Sequence, residues 1–348
     1  MFLQSYIKKL NKFVKLLICK MKYMEKQYVI GVDMGGTNTA IGIVDARGTI
    51  LYQAQIPTEG DATGSEYAKR LGKAINDLIE QNNLKGKVKG IGMGAPDGNM
   101  KTGEIAHAAN IPWAKTVVVP MADLLTAETG LACKLANDAN AAALGEMYYG
   151  AAKGMKDFIM ITLGTGLGSG IVIGGRLVVG FEEDGLAGEL GHVRMVRQNG
   201  RSCGCGRTGC LEAYCSATGV ARTARELLEL FPERKTVLRN IVDRPIAAKD
   251  VYDAAKQGDG LANEIFDFTG KMLGDAFCDF IAFSYPEAII LFGGLAHAGE
   301  FLLKPIREEM EKQILKMYKG KTKILISQLN DSAEAAILGT SAIAWEYT

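Results

Sequence analysis

Residues 28–53 read YVIGVDMGGTNTAIGIVDARGTILYQ. An apolar β-rich run meets a Gly-Gly-Thr turn; a second apolar run, a second turn and a third run follow. That alternation predicts a three-stranded meander. Residues 158–180, FIMITLGTGLGSGIVIGGRLVVG, repeat the grammar: strand, glycine-threonine turn, strand, Gly-Gly turn, strand. The two units begin about 130 residues apart, which marks a domain-scale duplication rather than a solenoid.

Helical patterns follow each meander. Residues 65–81 place Ala68, Leu71, Ile75, Leu78 and Ile79 on one face. Residues 87–96 read as a buried strand running into a loop. A further strand ends near Ala136, with Asn137 and Asp138 opening a helix. Residues 261–284 form one long helix stopped before Pro286. Residues 288–294 return as a strand into a glycine turn, 322–329 as a late strand, and 332–347 as a final helix. Strands alternating with helices predict an α/β architecture with at least partly parallel sheets.

A chain of 348 residues has room for two domains, each with its own core. Hydrophobic residues are 48% and charged residues 23%, the balance of a soluble globular protein. The net charge of +1 supplies no field for nucleic acid, and no such partner is expected. The seven cysteines (Cys19, Cys133, Cys203, Cys205, Cys210, Cys215 and Cys278) form no disulfide framework. Metal ligation or isolated thiols fit better, so a reducing compartment, the cytoplasm, is expected. Forty-two glycines in clusters suggest tight turns around ligands. Residues 1–27 are basic, with apolar residues near helical spacing and runs too short to cross a bilayer. They read as an extension outside the fold, since Met21 and Met24 are alternative starts; contact with a membrane surface is the rival reading.

In DMGGT, Asp33 ends a strand and Gly35, Gly36 and Thr37 follow. Glycine backbone N–H groups approach phosphate oxygens closely, and a threonine hydroxyl adds a donor. A carboxylate beside phosphates needs a cation between them, so Asp33 is a candidate Mg²⁺ organiser acting through coordinated water. A plain Gly-Gly hairpin is the simpler alternative. Thr162, Gly164, Thr165, Gly166 and Gly168 form a second candidate cradle; facing each other, the two turns would grip one triphosphate. Gly293 and Gly294 suit the flat face of a purine. Neither GxxxxGK[ST] nor a strand–GxGxxG–helix unit occurs.

Residues 201–212 read RSCGCGRTGCLE, and His192 precedes them: His192-x₁₀-Cys203-x-Cys205-x₄-Cys210. One imidazole and three thiolates complete a tetrahedral zinc set with no open position, which is a structural site. In LANDAN, Asp138 stands at a strand-to-helix junction. It is either a helix N-cap, which spacing alone favours, or a carboxylate placed to accept a proton.

These motifs, in this order, resemble the ROK family (repressors, open reading frames and kinases) of sugar kinases, most of all its glucokinase branch, from about Tyr28 to the C-terminus. The resemblance implies an actin-like, hexokinase-type ATPase fold: two α/β domains with a cleft between them. Residues 28–136 would form the smaller, N-terminal domain, joined by the C-terminal helix 332–348. Residues 137–331 would form the larger, with the zinc motif inserted. The activity implied is ATP-dependent phosphorylation of a hexose, glucose to glucose 6-phosphate, with Mg²⁺ and a structural Zn²⁺. Asp138 becomes the general base. Asn110, Asn137, Asp138, Glu189, His192 and Glu212 become sugar ligands, His192 using one ring nitrogen for zinc and the other for the sugar. Asp33, Gly35, Gly36, Thr37 and Asn38 become one phosphate loop, where Asn38 replaces a lysine common in the family. Thr162, Gly164, Thr165 and Gly166 become the second, with Gly293 and Gly294 nearby. A homo-oligomer, dimer or tetramer, is expected.

Two alternatives accompany this reading: phosphorylation of N-acetylmannosamine or another hexose, and a sugar-responsive repressor. The short stretch before the first strand shows no helix-turn-helix pattern. Trp113 is expected in the core, the Arg201–Arg207 neighbourhood in a solvated loop, and His107 and His297 in ordinary surface positions.

Overall fold

The computed structural model describes residues 27–106, 108, 111–329 and 333–348. Asn110 and His107 lie outside the described residues, as does the extension apart from Gln27. The chain divides into two compact units. One takes the described residues up to Ala136 and then Ala336–Thr348; the other is Asn137–Ala335.

In the first unit β1 (Tyr28–Met34), β2 (Asn38–Asp45) and β3 (Ile50–Pro57) form an antiparallel meander. Helix α1 (Gly64–Gln81) then returns the chain so that β4 (Val88–Gly94) runs parallel to β1. Thr63 and Glu66 start α1 with a capping box, and its buried face carries Tyr67, Ala68, Leu71, Ile75, Leu78 and Ile79. Trp113 stacks on Tyr67 with ring centroids 4.8 Å apart, in the core as expected. Short strands β5 (Ile105–Ala106) and β6 (Val118–Val119) pair with each other, and α2 (Met121–Thr129) leads to β7 (Cys133–Ala136) beside β4. The strand order is β3-β2-β1-β4-β7.

The second unit opens with α3 (Asp138–Tyr149), followed by a second antiparallel meander, β8 (Phe158–Leu163), β9 (Leu167–Ile173) and β10 (Arg176–Leu177). An irregular stretch leads to α4 (Glu212–Cys215), α5 (Ala217–Leu230), α6 (Ala248–Lys256) and the long α7 (Gly260–Ser284). Strand β11 (Ala288–Phe292) lies parallel to β8; after α8 (Glu300–Gln313), β12 (Lys323–Ile326) lies parallel to β11. The order β10-β9-β8-β11-β12 reproduces that of the first sheet, with the same parallel and antiparallel pairs. The duplication read from the two meanders thus extends through whole sheets.

The last helix, α9 (Ala333–Tyr347), returns to the first unit. A Cβ added at Gly31 of β1 would lie 2.3 Å from the Ile337 carbonyl oxygen, and one at Gly92 of β4 would lie 2.0 Å from that of Thr340. Strand glycines therefore clear a track for a helix. The sequence reading, which assigned clustered glycines to ligand turns, missed this use. Among the described residues no helix is long and apolar enough to cross a membrane.

Candidate active site

Asn137, not Asp138, caps α3: its Oδ1 accepts from the Asn140 backbone N–H at 2.8 Å. That corrects the cap reading of Asp138; the cap uses Asn137 Oδ1 and not its amide NH₂. Asp138 is the first helical residue and is exposed. The start of α3 lies directly on β9 because two glycines allow it. A Cβ at Gly168 would sit 3.2 Å from the Ala139 Cβ, and one at Gly170 would sit 2.8 Å from the Ala139 carbonyl oxygen.

Several elements hold the turn between β8 and β9. Thr162 Oγ1 accepts from the Gly168 N–H at 3.0 Å, closing the hairpin. The Gly164 carbonyl accepts from the Ala217 N–H at 2.9 Å, and the Thr165 carbonyl accepts from the Thr218 hydroxyl. The N-terminus of α5, capped by Ser216, therefore abuts the turn, and its dipole favours an anion there. Gly293 has φ +100°, and a Cβ on it would lie 2.7 Å from the Leu163 carbonyl oxygen. Thr162, Gly164, Thr165, Gly166 and Gly293 thus come together, with exposed Gly294 next in the chain.

Glu212 joins this turn to the cysteine segment. Its Oε2 accepts from the Leu167 N–H at 2.9 Å, and its Oε1 accepts from the Cys203 thiol at 3.4 Å. Glu189 precedes a single 3₁₀ turn ending at His192. The Glu189 Oε2 lies 4.0 Å from His192 Nε2, while Nδ1 of the same ring lies 3.6 Å from Cys203 Sγ. The imidazole therefore turns one nitrogen to the cysteines and the other toward Glu189.

Single ligand atoms from His192, Cys203, Cys205 and Cys210 all lie within 4.8 Å of one another. Zinc bond lengths predict tetrahedron edges of about 3.8 Å between sulfurs and about 3.6 Å between nitrogen and sulfur. The Cys205–Cys210 separation is 3.7 Å and the His192–Cys203 separation is 3.6 Å, so the donor set fits the ion. Arg201 clamps the segment. Its guanidinium pairs with Glu226, donates to the Ala213 and Gly219 carbonyls, and lies 4.4 Å from the Tyr214 ring centroid. Its side chain is only 10% exposed, so Arg201 is not the solvated loop residue the sequence suggested.

In the first unit Asp33 sits on β1 between Ala40 of β2 and Gly94 of β4. Burial pushes its carboxyl up from 3.8 to about 6. A carboxylate desolvated this far gains from a nearby cation, which fits the Mg²⁺ reading. Gly35 donates to the Asn38 carbonyl at 3.0 Å and accepts from the Thr58 hydroxyl at 2.7 Å. These bonds hold a tight turn in which Gly36 is half-buried and Thr37 and Asn38 are exposed.

The profile of the ROK family matches residues 29–346. The chain belongs to the ROK family. A relative named glucokinase, from Halalkalibacterium halodurans, is 37% identical over 89% of this chain and 93% of that protein. The crystal structure of a ROK family glucokinase from Streptomyces griseus, in complex with glucose and AMPPNP, is 34% identical. It covers 92% of this chain and 99% of its own, with a TM-score of 0.70. A xylose repressor from Caldicellulosiruptor bescii is more distant, 27% identical over 90% of this chain and 77% of that protein. The fold is the actin-like ATPase fold of ROK sugar kinases. Sequence reasoning about this ROK chain missed Asn140, Arg201, Ser216 and Thr218. Only Ser216 carried a signal, a serine directly before a helical run.

Proposed function

We propose that this chain transfers the γ-phosphoryl group of ATP to a hexose, glucose before other hexoses, at the 6-hydroxyl. The observation that carries the reading is Glu212, whose carboxylate accepts from the Leu167 N–H of the glycine turn and whose place in the chain is two residues after Cys210, in the cysteine segment that follows Glu189 and His192. Phosphate-type and sugar-type groups are thereby built into one framework. The glucokinase relatives, and the glucose and AMPPNP in the related crystal structure, support the same substrates.

Asp138, exposed at the start of α3, accepts the proton of the attacking hydroxyl. As the new P–O bond forms, the bond from γ-phosphorus to the bridging oxygen breaks and ADP leaves. The Asn137 amide donates to a sugar hydroxyl, Glu189 and Glu212 accept from others, and His192 Nε2 donates. In the second unit the turn at residues 162–166, with Gly293 and Gly294, is the proposed contact for phosphate and purine; in the first unit the turn at residues 35–38 is a proposed phosphate contact. Asp33 would hold Mg²⁺ through water, which offsets negative charge on the phosphates. His192, Cys203, Cys205 and Cys210 would hold Zn²⁺, which fixes the irregular segment between Glu189 and Glu212. Asn110 completes the proposed sugar set. A homo-oligomer in the cytoplasm, where reduced thiols and ATP coexist, completes the reading.

The test is ADP release with glucose, mannose, fructose, glucosamine and N-acetylmannosamine. Glucose should give the highest kcat/KM, because hydrogen-bonding groups left unpaired by a wrong substituent cost about 1–3 kcal/mol each. A higher value for N-acetylmannosamine removes the glucose assignment. Failure of every one of these sugars to raise ADP release removes the kinase reading.

A further inference from the structure

Asn140 is wholly buried in a helical stretch otherwise built of small apolar residues, Ala139, Ala141, Ala142 and Ala143. A buried amide there is costly, the more so because its Oδ1 finds no partner among the described residues. Its Nδ2 donates to the Gly185 carbonyl at 3.1 Å, and its backbone N–H donates to Asn137 Oδ1. One residue therefore touches the cap beside Asp138 and the middle of the segment that leads to Glu189.

That segment needs an anchor. Within residues 180–188 five positions adopt left-handed backbone: Gly180, Glu182, Glu183, Gly185 and Gly188, with φ between 55° and 97°. Glu182 and Glu183 do so with a Cβ, a strained state that persists only where surrounding structure imposes it. Phe181 and Leu186 stand 83% and 63% exposed, so apolar burial of these side chains does not pin the segment. Two scaffold side chains reach it instead: the Ser169 hydroxyl at the Gly188 carbonyl and Asn140 at the Gly185 carbonyl.

We infer that Asn140 is a positioning residue that sets the register of Glu189 against Asn137 and Asp138 by holding the Gly185 carbonyl. It touches no substrate in this account and acts through the backbone. The inference rests on the hexose-kinase reading for its kinetic consequence, but the tie itself is measurable without turnover.

The experiment compares wild type, Asn140→Ala, Glu189→Gln and the double variant. Ala removes the unpaired acceptor together with the donor, so folding is expected to survive; zinc content and thermal melting check it. Asn140→Ser, too short to reach Gly185, replaces it if the alanine variant does not fold. In Asn140→Ala the KM for glucose should rise by about 10-fold or more while the KM for ATP stays within about two-fold. The glucose effect should largely vanish in the Glu189→Gln background, because the two changes remove one geometry. Amide hydrogen exchange over residues 183–190 should quicken in the variant. Equal rises in both KM values, multiplicative losses in the double variant, or unchanged exchange would each overturn the role. A wild type without ADP release on any hexose strikes the kinase reading, and the exchange result then still decides whether Asn140 holds the segment.

Discussion

Asp33→Asn is the perturbation whose size follows most directly from the structure. Burial raises the Asp33 carboxyl from 3.8 to about 6. The native state then binds a proton more tightly than the unfolded chain between those values, so ionised Asp33 opposes folding at neutral pH. The shift of about two units corresponds to about 3 kcal/mol, trimmed to about 2 kcal/mol by the water that still reaches the half-buried residue. Asparagine keeps the shape and removes the charge, so the variant without nucleotide or Mg²⁺ should be more stable than wild type by about that amount near pH 7. The gap should shrink as pH falls through about 6 and close only by about pH 3, below both the folded and the unfolded value, where wild-type Asp33 is protonated in both states. Urea denaturation of both proteins across this range measures it. The same variant should lose ATP-dependent turnover, since the charge that costs stability is the one proposed to organise Mg²⁺. Parallel pH profiles for the two proteins would refute the burial argument, and stability lower at pH 7 in the variant would reverse its sign.

Asp138→Asn should lower kcat at least about 100-fold with fold and sugar binding retained, and near-normal turnover would remove it as the base. Untagged protein should carry one zinc per chain by elemental analysis, and Cys205→Ser should lose the metal, melt earlier and bind sugar poorly; metal-free wild type would sink the assignment. Gly170→Ala would place a Cβ 2.6 Å from that of Ala143. It should cost about 1–3 kcal/mol and lower kcat by displacing the start of α3, which denaturation and steady-state kinetics would show. Unchanged stability and rate would mean that α3 shifts without consequence.

The fold was legible because its signals are local and repeated. Each meander announces itself by alternating apolar runs and glycine turns, and the helix at residues 65–81 by the spacing of Leu71, Ile75 and Leu78. The tetrahedral fit of His192, Cys203, Cys205 and Cys210 likewise follows from spacing, because a short loop can bring only close neighbours to one point. What stayed hidden depends on contacts between distant segments. Gly31 and Gly92 fall inside runs that read as strands and show no reason to be glycine until α9 arrives about 250 residues later or more and passes within a Cβ's radius of them. Asn140 carries no signal until its amide is found on Gly185, and Arg201 looks like loop charge until Glu226 and two carbonyls surround it.

Asn140 and Arg201 share a physical reason for staying hidden. A strand or helix is held in place by its own backbone ladder, so its side chains are free to fill a core. Residues 178–211 contain little regular structure, yet Glu189 and His192 lie within them and Glu212 follows them directly. Carbonyls in such a segment can be held by side chains from outside, and among the described residues three are: Gly185 by Asn140, Gly188 by Ser169, and Ser202 by Arg222. The cysteine cluster does at one end what these bonds do singly along the rest, tying together positions that no ladder connects. Irregular backbone lets carboxylates and an imidazole approach a ligand from angles that a strand does not offer. The cost is a set of buried polar anchors, each of which should weaken sugar binding more than overall stability when removed.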